Sequence, residues 1–333
     1  MSATGSLFGL AYGDSMGKPT EFRRFEEIVR EYGPAGPSDL PEGALVTDDT
    51  QMALAVAEAL LEQPAGRDPE PEPLIASLTK HFVAWAHSPE NNRAPGMTCL
   101  RACGGLAQGR PWTEATQRGS KGCGANMRVT PVGLVPGLPE DTAAGIAQVQ
   151  AALTHGHATA LAASDLTAFA TRWLLAGMAP ADLVPALRER CREQRSVYQG
   201  TWLGDDLWRV PGRESPQDFI AHGWDDCAAV LDRLAAALVR PEPEADPCLA
   251  TGEGWIAEEA LATALLCFLM HPDEPVRALG RAAATGGDSD SIAALAGAFA
   301  GARLGMAAFP AGWAGRIEYR DRLARAGAVW DRQ

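Results

Sequence analysis

The sequence predicts an all-α fold, a single compact helical domain spanning residues 1–333, and three observations carry that expectation. Ala is abundant, whereas Val and Ile together number only 22 of 333 residues, too few for a large sheet. Apolar residues recur at helical spacing: Met52, Val56, Ala59 and Leu60 form one such face, and Leu74, Leu78, Phe82 and Trp85 the next. Strand-like runs at regular spacing are missing. In order, the periodicity predicts helices over 50–62, 74–87, 141–153, 158–176, 181–194, 225–239, 255–270, 275–284 and 291–305, with a last one near 317–330. Pro-rich runs at 63–73, 136–139 and 241–247 punctuate them. Each is short and helices resume within about a dozen residues, so they predict surface loops and not interdomain linkers.

Composition narrows the function. The chain carries 42 Asp and Glu against 29 Lys and Arg, a formal charge of −13. Strong general nucleic-acid binding is not expected, because phosphate neutralisation needs clustered Lys and Arg. The first ten residues lack a basic segment and Asp14 soon interrupts them, so no signal peptide is expected. No window approaches about 18 uninterrupted apolar residues, so no membrane span is expected. The seven cysteines are scattered and odd in number, which suits reduced thiols and a cytoplasmic location. A monomer is expected.

Two acidic helix starts point to chemistry. Thr47-Asp48-Asp49-Thr50 precedes the 50–62 helix, and Gly286-Gly287-Asp288-Ser289-Asp290-Ser291 precedes the 291–305 helix. One such cluster reads simply as an N-cap, since these residues satisfy free amides and complement the helix dipole. Two clusters together supply more carboxylates than caps require. Brought together they would repel unless a cation neutralised them. All-oxygen donors favour a hard divalent ion such as Mg²⁺, Mn²⁺ or Ca²⁺ over zinc. The starts lie about 240 residues apart, so the fold must unite them. The second helix also carries Gly297, Gly301 and Gly305 at a spacing of four, with Ala293 a turn earlier, which predicts close helix packing.

Three further segments stand out. Gly13-Asp14-Ser15-Met16-Gly17-Lys18-Pro19-Thr20-Glu21-Phe22 lacks the pattern of a phosphate-binding loop but offers one more carboxylate, Glu21. Gly119–Arg128 is a Gly-rich turn whose free amides would suit a diphosphate, although an ordinary turn fits equally. Thr154-His155-Gly156-His157 precedes the 158–176 helix; without a matching Cys/His pair it suits a ligand contact or a cap better than zinc.

Taken in order, these motifs resemble the ADP-ribosylglycohydrolase family, which includes the dinitrogenase reductase-activating glycohydrolase and the ADP-ribosyl-acceptor hydrolases. The matching pieces are Gly13–Gly17 with Glu21, Thr47–Thr50, Gly122–Arg128, Thr154–His157 and Gly286–Ser291. They span about residues 6–305. The resemblance implies an all-α fold with two Mg²⁺ (Mn²⁺ as a substitute) at the base of an ADP-ribose cleft. It implies Thr47, Asp48, Asp49, Asp288, Asp290 and Ser291 as metal ligands. Ser291 departs from the family's usual Thr but keeps the hydroxyl.

By the same resemblance Asp48, Asp49, Glu21 and Asp288 are the catalytic candidates, with Glu21 also a substrate contact or mobile gate. Gly122, Gly124, Ala125, Asn126 and Met127 would hold the diphosphate through backbone amides, and Arg128 could add local attraction. His155 and His157 would line the ribose or adenine side, and Trp255 would stack where relatives often carry Tyr. The implied reaction is Mg²⁺-dependent hydrolysis of the glycosidic bond between ADP-ribose and an acceptor, through an oxocarbenium-like transition state, with a water oriented by Asp48 or Asp49.

The expected partners are ADP-ribose and an ADP-ribosylated acceptor: a protein side chain, arginine before serine, with a nucleobase or small O-linked ADP-ribose as alternatives. Acceptor contacts would come from 91–98 and the aromatic-rich 198–224 region, where core packing of Tyr198, Trp202, Trp208 and Trp224 is the competing explanation. Two other readings are weaker. A prenyl-diphosphate synthase would need a third Asp after Asp48-Asp49, and a non-catalytic ADP-ribose binder would have no need of every ligand type.

Overall fold

The computed structural model describes residues 1–64 and 66–332. Among them are eighteen α-helices and no strand. The first are α1 (Ala3–Gly17), α2 (Phe25–Tyr32), α3 (Asp48–Leu61), α4 (Pro71–Ala86), α5 (Met97–Ala107) and α6 (Trp112–Ala115). A 3₁₀ turn at Cys123–Ala125 leads to α7 (Thr130–Leu134), α8 (Glu140–Ala152), α9 (Ala158–Leu175), α10 (Pro180–Gln194) and α11 (Gly200–Leu203). Then follow α12 (Pro216–Val239), α13 (Cys248–Thr251), α14 (Ala257–Met270), α15 (Pro275–Ala283), α16 (Ser289–Leu304), α17 (Trp313–Arg316) and α18 (Arg320–Trp330).

The predicted helices all fall on observed ones, most within three residues at each end. Helix α12 is the exception: it begins nine residues before the predicted 225, because Ser215 caps it through Asp218 N at 3.1 Å and Pro216 occupies its first turn. Helix α1 was not expected. Its glycines look like loop signals, yet they serve packing. Gly5, Gly9, Gly13 and Gly17 face Gly301, Gly297, Ala293 and Ser289 of the antiparallel α16, and a Cβ on any of them would strike the opposing backbone. Gly297 and Gly301 therefore pack as predicted. Gly305 also lies close to Gly5, but it sits past the helix end with φ +74°, where glycine is favoured for its backbone conformation.

Helices α1, α9 and α16 are buried on nearly every face. A helix enclosed all round has no polar side, so its sequence shows little amphipathic contrast. Around this centre pack α3, α8, α12, α14 and α15. Trp202 and Trp224 are buried in the core, so core packing accounts for those two aromatics. The seven cysteines are free and buried. No helix among the described residues is long and apolar enough to cross a membrane.

Candidate active site

Close contact between α1 and α16 brings three chain segments to one point. Thr47 starts α3 and accepts a hydrogen bond from Asp49 N at 3.3 Å. Asp48 and Asp49 follow in the first turn. Asp288 starts α16 without capping it, and Asp290 and Ser291 lie in its first turn. Glu21 comes from the turn after α1. All of these except Glu21 are buried. Oxygens of Glu21, Asp288 and Asp290 lie within 4.8 Å of one another, and this trio could hold a metal ion. Asp48 and Asp49 lie outside that trio, but both interact electrostatically with Asp290, which brings the two acidic helix starts into one neighbourhood.

Asp14 was missed as a site residue. Fully buried in α1, it accepts from Thr47 N at 2.9 and 3.0 Å, Thr50 N at 3.1 Å and Thr50 Oγ1 at 2.5 Å. It therefore pins the start of α3 onto α1. The signals available were its place in the Gly13–Gly17 motif and an acidic residue amid small and apolar neighbours. Asp48 Oδ2 accepts from Gly96 N at 3.2 Å, so the 91–98 segment reaches the cluster through its backbone.

The electrostatics are strained. Burial, then repulsion from Asp290, raises the Asp14 carboxyl to about 7 despite its hydrogen bonds. Burial raises Asp48 to about 7, partly offset by Gly96 N. Burial, then Asp290, Asp48 and Asp14, raises Glu21 to about 9. Asp49 and Asp288 are held well above the ordinary carboxylate range by burial and by Asp290, and burial also raises Asp290. The nearby bases serve other acids: Lys121 pairs with Asp226 and Glu258, and Arg93 with Glu318. Among the described residues no Lys or Arg pairs with these six carboxyls. Asp49 Oδ1 is buried without a hydrogen-bond partner. With Asp14 occupied by its hydrogen bonds to Thr47 and Thr50, the five remaining carboxyls lack a positive partner and one oxygen is orphaned, which fits a divalent cation.

The walls differ in part from expectation. In the 122–128 turn, Cys123 N donates to Trp255 O at 3.0 Å, and Asn126 N and Met127 N donate to Cys123 O. Those three amides are therefore consumed internally. The Asn126 side-chain amide donates to Ala257 O at 3.0 Å, while its Oδ1 is unpartnered. Ala125 and Met127 are buried, Met127 with Ser291 Oγ 3.9 Å from its sulfur. Gly122 and Gly124 pack on His155, with no room for a Cβ at Gly124.

His155 is buried, its Nδ1 is 2.8 Å from Thr154 Oγ1, and burial lowers it to about 3, so it is neutral. His157 caps α9 through Thr159 N at 3.2 Å. Arg128 is fully enclosed, bonded to Gln150 and Thr154 and set over the Phe82 ring at 4.3 Å. It braces the wall from behind and presents no guanidinium to a cleft ligand, contrary to expectation. Beside Glu21, Phe22 stacks on Trp255 at 5.5 Å, and both rings are exposed. Phe22 holds φ at +63°, a strained conformation for a non-glycine residue.

The sequence model of the ADP-ribosylglycohydrolase family matches residues 2–333. The chain belongs to this family. An ADP-ribosyl-[dinitrogen reductase] glycohydrolase of Rhodospirillum rubrum is 24% identical to it over 325 residues, 96% of this chain and 90% of that protein. The ADP-ribosylhydrolase ARH3 of Homo sapiens is 26% identical over 341 residues, 93% and 87% of the two chains. A solved structure described as an ADP-ribosylglycohydrolase-related protein complex superposes with a TM-score of 0.67 at 25% identity, covering 99% of this chain and 96% of that one. The protein is therefore an ADP-ribosyl glycohydrolase, an enzyme that hydrolyses ADP-ribose linkages. The family is metal-dependent, and its buried acidic cluster could bind the metal.

Proposed function

We propose that this single-domain enzyme cleaves the glycosidic bond between ADP-ribose and a protein side chain, arginine before serine, and depends on two Mg²⁺, with Mn²⁺ able to substitute. The convergence of five buried carboxyls from α1, α3 and α16 with the half-buried Glu21 of the turn after α1 carries this reading. Thr47, Asp48, Asp49, Asp288, Asp290 and Ser291 would hold the metal, with Glu21 beside them. When bound, the divalent ions would supply positive charge for the ribose hydroxyls and lower the pKa of an attacking water.

The chain's own groups do the rest. Asp14 fixes the start of α3 by accepting from Thr47 N and Thr50 N, which keeps Asp48 and Asp49 in place. Asp48 or Asp49 orients the attacking water, and the surrounding carboxylates stabilise positive charge developing at the anomeric carbon. Gly122, Gly124 and Ala125 would face the diphosphate, whereas the backbone amides of Asn126 and Met127 are already bonded to Cys123 O, so those two would line the wall without donating to it. His155, held neutral, and His157 line the ribose or adenine side. Phe22 and Trp255 offer aromatic faces next to Glu21, an arrangement that suits a planar guanidinium better than a serine hydroxyl. The enzyme would act as a cytoplasmic monomer on modified proteins; the charge of −13 argues only against general nucleic-acid binding.

The test is ADP-ribose release from matched arginine-, serine- and DNA-linked substrates, with Mg²⁺ and with EDTA. Fastest release from the arginine linkage, abolished by EDTA, is expected. Preference for the DNA-linked or a small O-linked substrate would replace the acceptor assignment, and no release from any would leave a non-catalytic ADP-ribose binder.

A further inference from the structure

The turn between α17 and α18 ties together two segments that support Asp48. Glu318 Oε2 accepts from Val46 N at 3.0 Å and from Arg93 Nη1 at 2.6 Å, and its Oε1 accepts from Arg93 Nη2 at 2.9 Å. Arg93 Nη1 also donates to Val46 O at 2.5 Å, and Glu318 N donates to Ala44 O at 3.2 Å. Both backbone groups of Val46 are therefore held, two residues before Asp48. Tyr319 does the same for the loop after α4. Its hydroxyl donates to Glu90 Oε2 at 2.6 Å, and Gln51, in the first turn of α3, donates to Glu90 O at 3.1 Å. Six residues on from Glu90, Gly96 N donates to Asp48 Oδ2 at 3.2 Å.

Two features set this junction apart from ordinary surface pairing. The Arg93–Glu318 fork is largely shielded, with side chains 16% and 18% exposed, and its two parallel charge-assisted hydrogen bonds fix an orientation as well as a distance. Backbone strain also gathers here. Among the described residues four non-glycines hold positive φ, and three of them belong to the junction: Ala44 at +41°, Ala94 at +50° and Tyr319 at +57°. Such conformations persist only where the surroundings over-determine them, and they cluster where geometry serves function. Without the fork and the tyrosine hydroxyl, nothing that Glu318 and Tyr319 supply would hold the bent loop against α3.

We propose that Glu318 and Tyr319 are positioning residues for the reaction, clamping residues 44–46 and 90–96 together so that Asp48 is fixed as a cation donor. Neither touches substrate; both act through Val46, Glu90 and Gly96. The inference rests on the reading of Asp48 as a metal ligand.

Calorimetric titration of Mg²⁺ into the metal-free full chain, paired with ADP-ribose release over a range of Mg²⁺, tests it on four variants. Glu318→Gln keeps the side-chain size but sets an amide against Val46 N or Arg93, so Mg²⁺ should bind about tenfold more weakly, as when a ligand's support is lost. Saturating Mg²⁺ should return kcat to within about twofold of the wild type, a rescue that general loss of structure would not show. Tyr319→Phe lacks only the hydroxyl and should weaken Mg²⁺ about threefold. Glu58→Gln is the control: it breaks the fork with Arg322 that also ties α18 to α3, but ten residues beyond Asp48. It should lower the melting temperature and leave Mg²⁺ affinity within about twofold.

Unchanged Mg²⁺ affinity in Glu318→Gln or in Tyr319→Phe removes that residue from the clamp, and an equal loss in Glu58→Gln overturns the clamp altogether. If Glu318→Gln does not fold, Tyr319→Phe decides alone. Asp48→Asn separates the two readings. Mg²⁺ binding lost there but intact in the clamp variants overturns the clamp and leaves the metal reading standing. Mg²⁺ binding unchanged in Asp48→Asn overturns both.

Discussion

Replacing Gly13 by Ala sets two effects of opposite sign against each other. Ala is the better helix former by about 1 kcal/mol. The added Cβ, however, would overlap the Ala293 carbonyl and come within 2.8 Å of Ala294 N. These are backbone atoms that cannot rotate aside, so α1 and α16 must separate. Overpacking of this kind costs about 1–3 kcal/mol before the lost helix contacts are counted. The steric loss should win, with a net destabilisation of about 1–2 kcal/mol.

The damage should extend to function, since Asp14 is the next residue and Asp290 lies one turn from Ala293 on the facing helix. A displacement of about 1 Å there can cost about 100-fold in rate. Chemical denaturation and ADP-ribose release measure both effects. Gly104→Ala in α5, where an added Cβ meets nothing within 4 Å, is the control and should gain up to about 1 kcal/mol. If Gly13→Ala is as stable and active as Gly104→Ala, glycine contact between α1 and α16 does not position the site.

Three other outcomes are expected. Asp14→Asn keeps the shape but leaves one oxygen to serve Thr47 N, Thr50 N and Thr50 Oγ1, so stability should fall by about 1–3 kcal/mol and activity with it; a wild-type melting curve would count against the pinning role. In EDTA, stability should decline as pH rises from about 4 towards about 9. The folded values of about 7 for Asp14 and Asp48 and about 9 for Glu21 lie above the ordinary 3.8 and 4.5, so the folded chain holds protons that the unfolded chain has released. Melting temperatures across that range, without and with Mg²⁺, check this, and a rising profile in EDTA contradicts it. Trp255→Ala should raise KM for an arginine-linked substrate several-fold with kcat nearly kept, the pattern of lost binding; an unchanged KM removes the aromatic face from acceptor recognition.

Legibility followed the local residue signals. The helices with one apolar face, such as α4 and α12, were visible from their periodicity, and the capped starts of α3 and α16 from their residue types. Helix α1 was missed because its packing glycines mimic loop signals; the equally enclosed α9 and α16 were still legible, so enclosure alone does not hide a helix. Most of the acidic site was legible because excess carboxylates at helix starts have a chemical meaning. Asp14 was not, since a lone Asp within a helix carries no such mark; its role depends on Thr47 and Thr50, 33 and 36 residues away. Arg128 shows the converse. Its place at the end of a Gly-rich turn suggests a phosphate contact, but enclosure by Phe82, Gln150 and Thr154 turns it into a brace.

The most direct measurement of the central claim is titration of Mg²⁺ and Mn²⁺ into metal-free protein, paired with ADP-ribose release at each step. Two equivalents should bind, release should rise with occupancy from zero in EDTA, and Asp288→Ala/Asp290→Ala should lose both binding and release while remaining folded. Full release in EDTA, or in that double variant, would contradict the account.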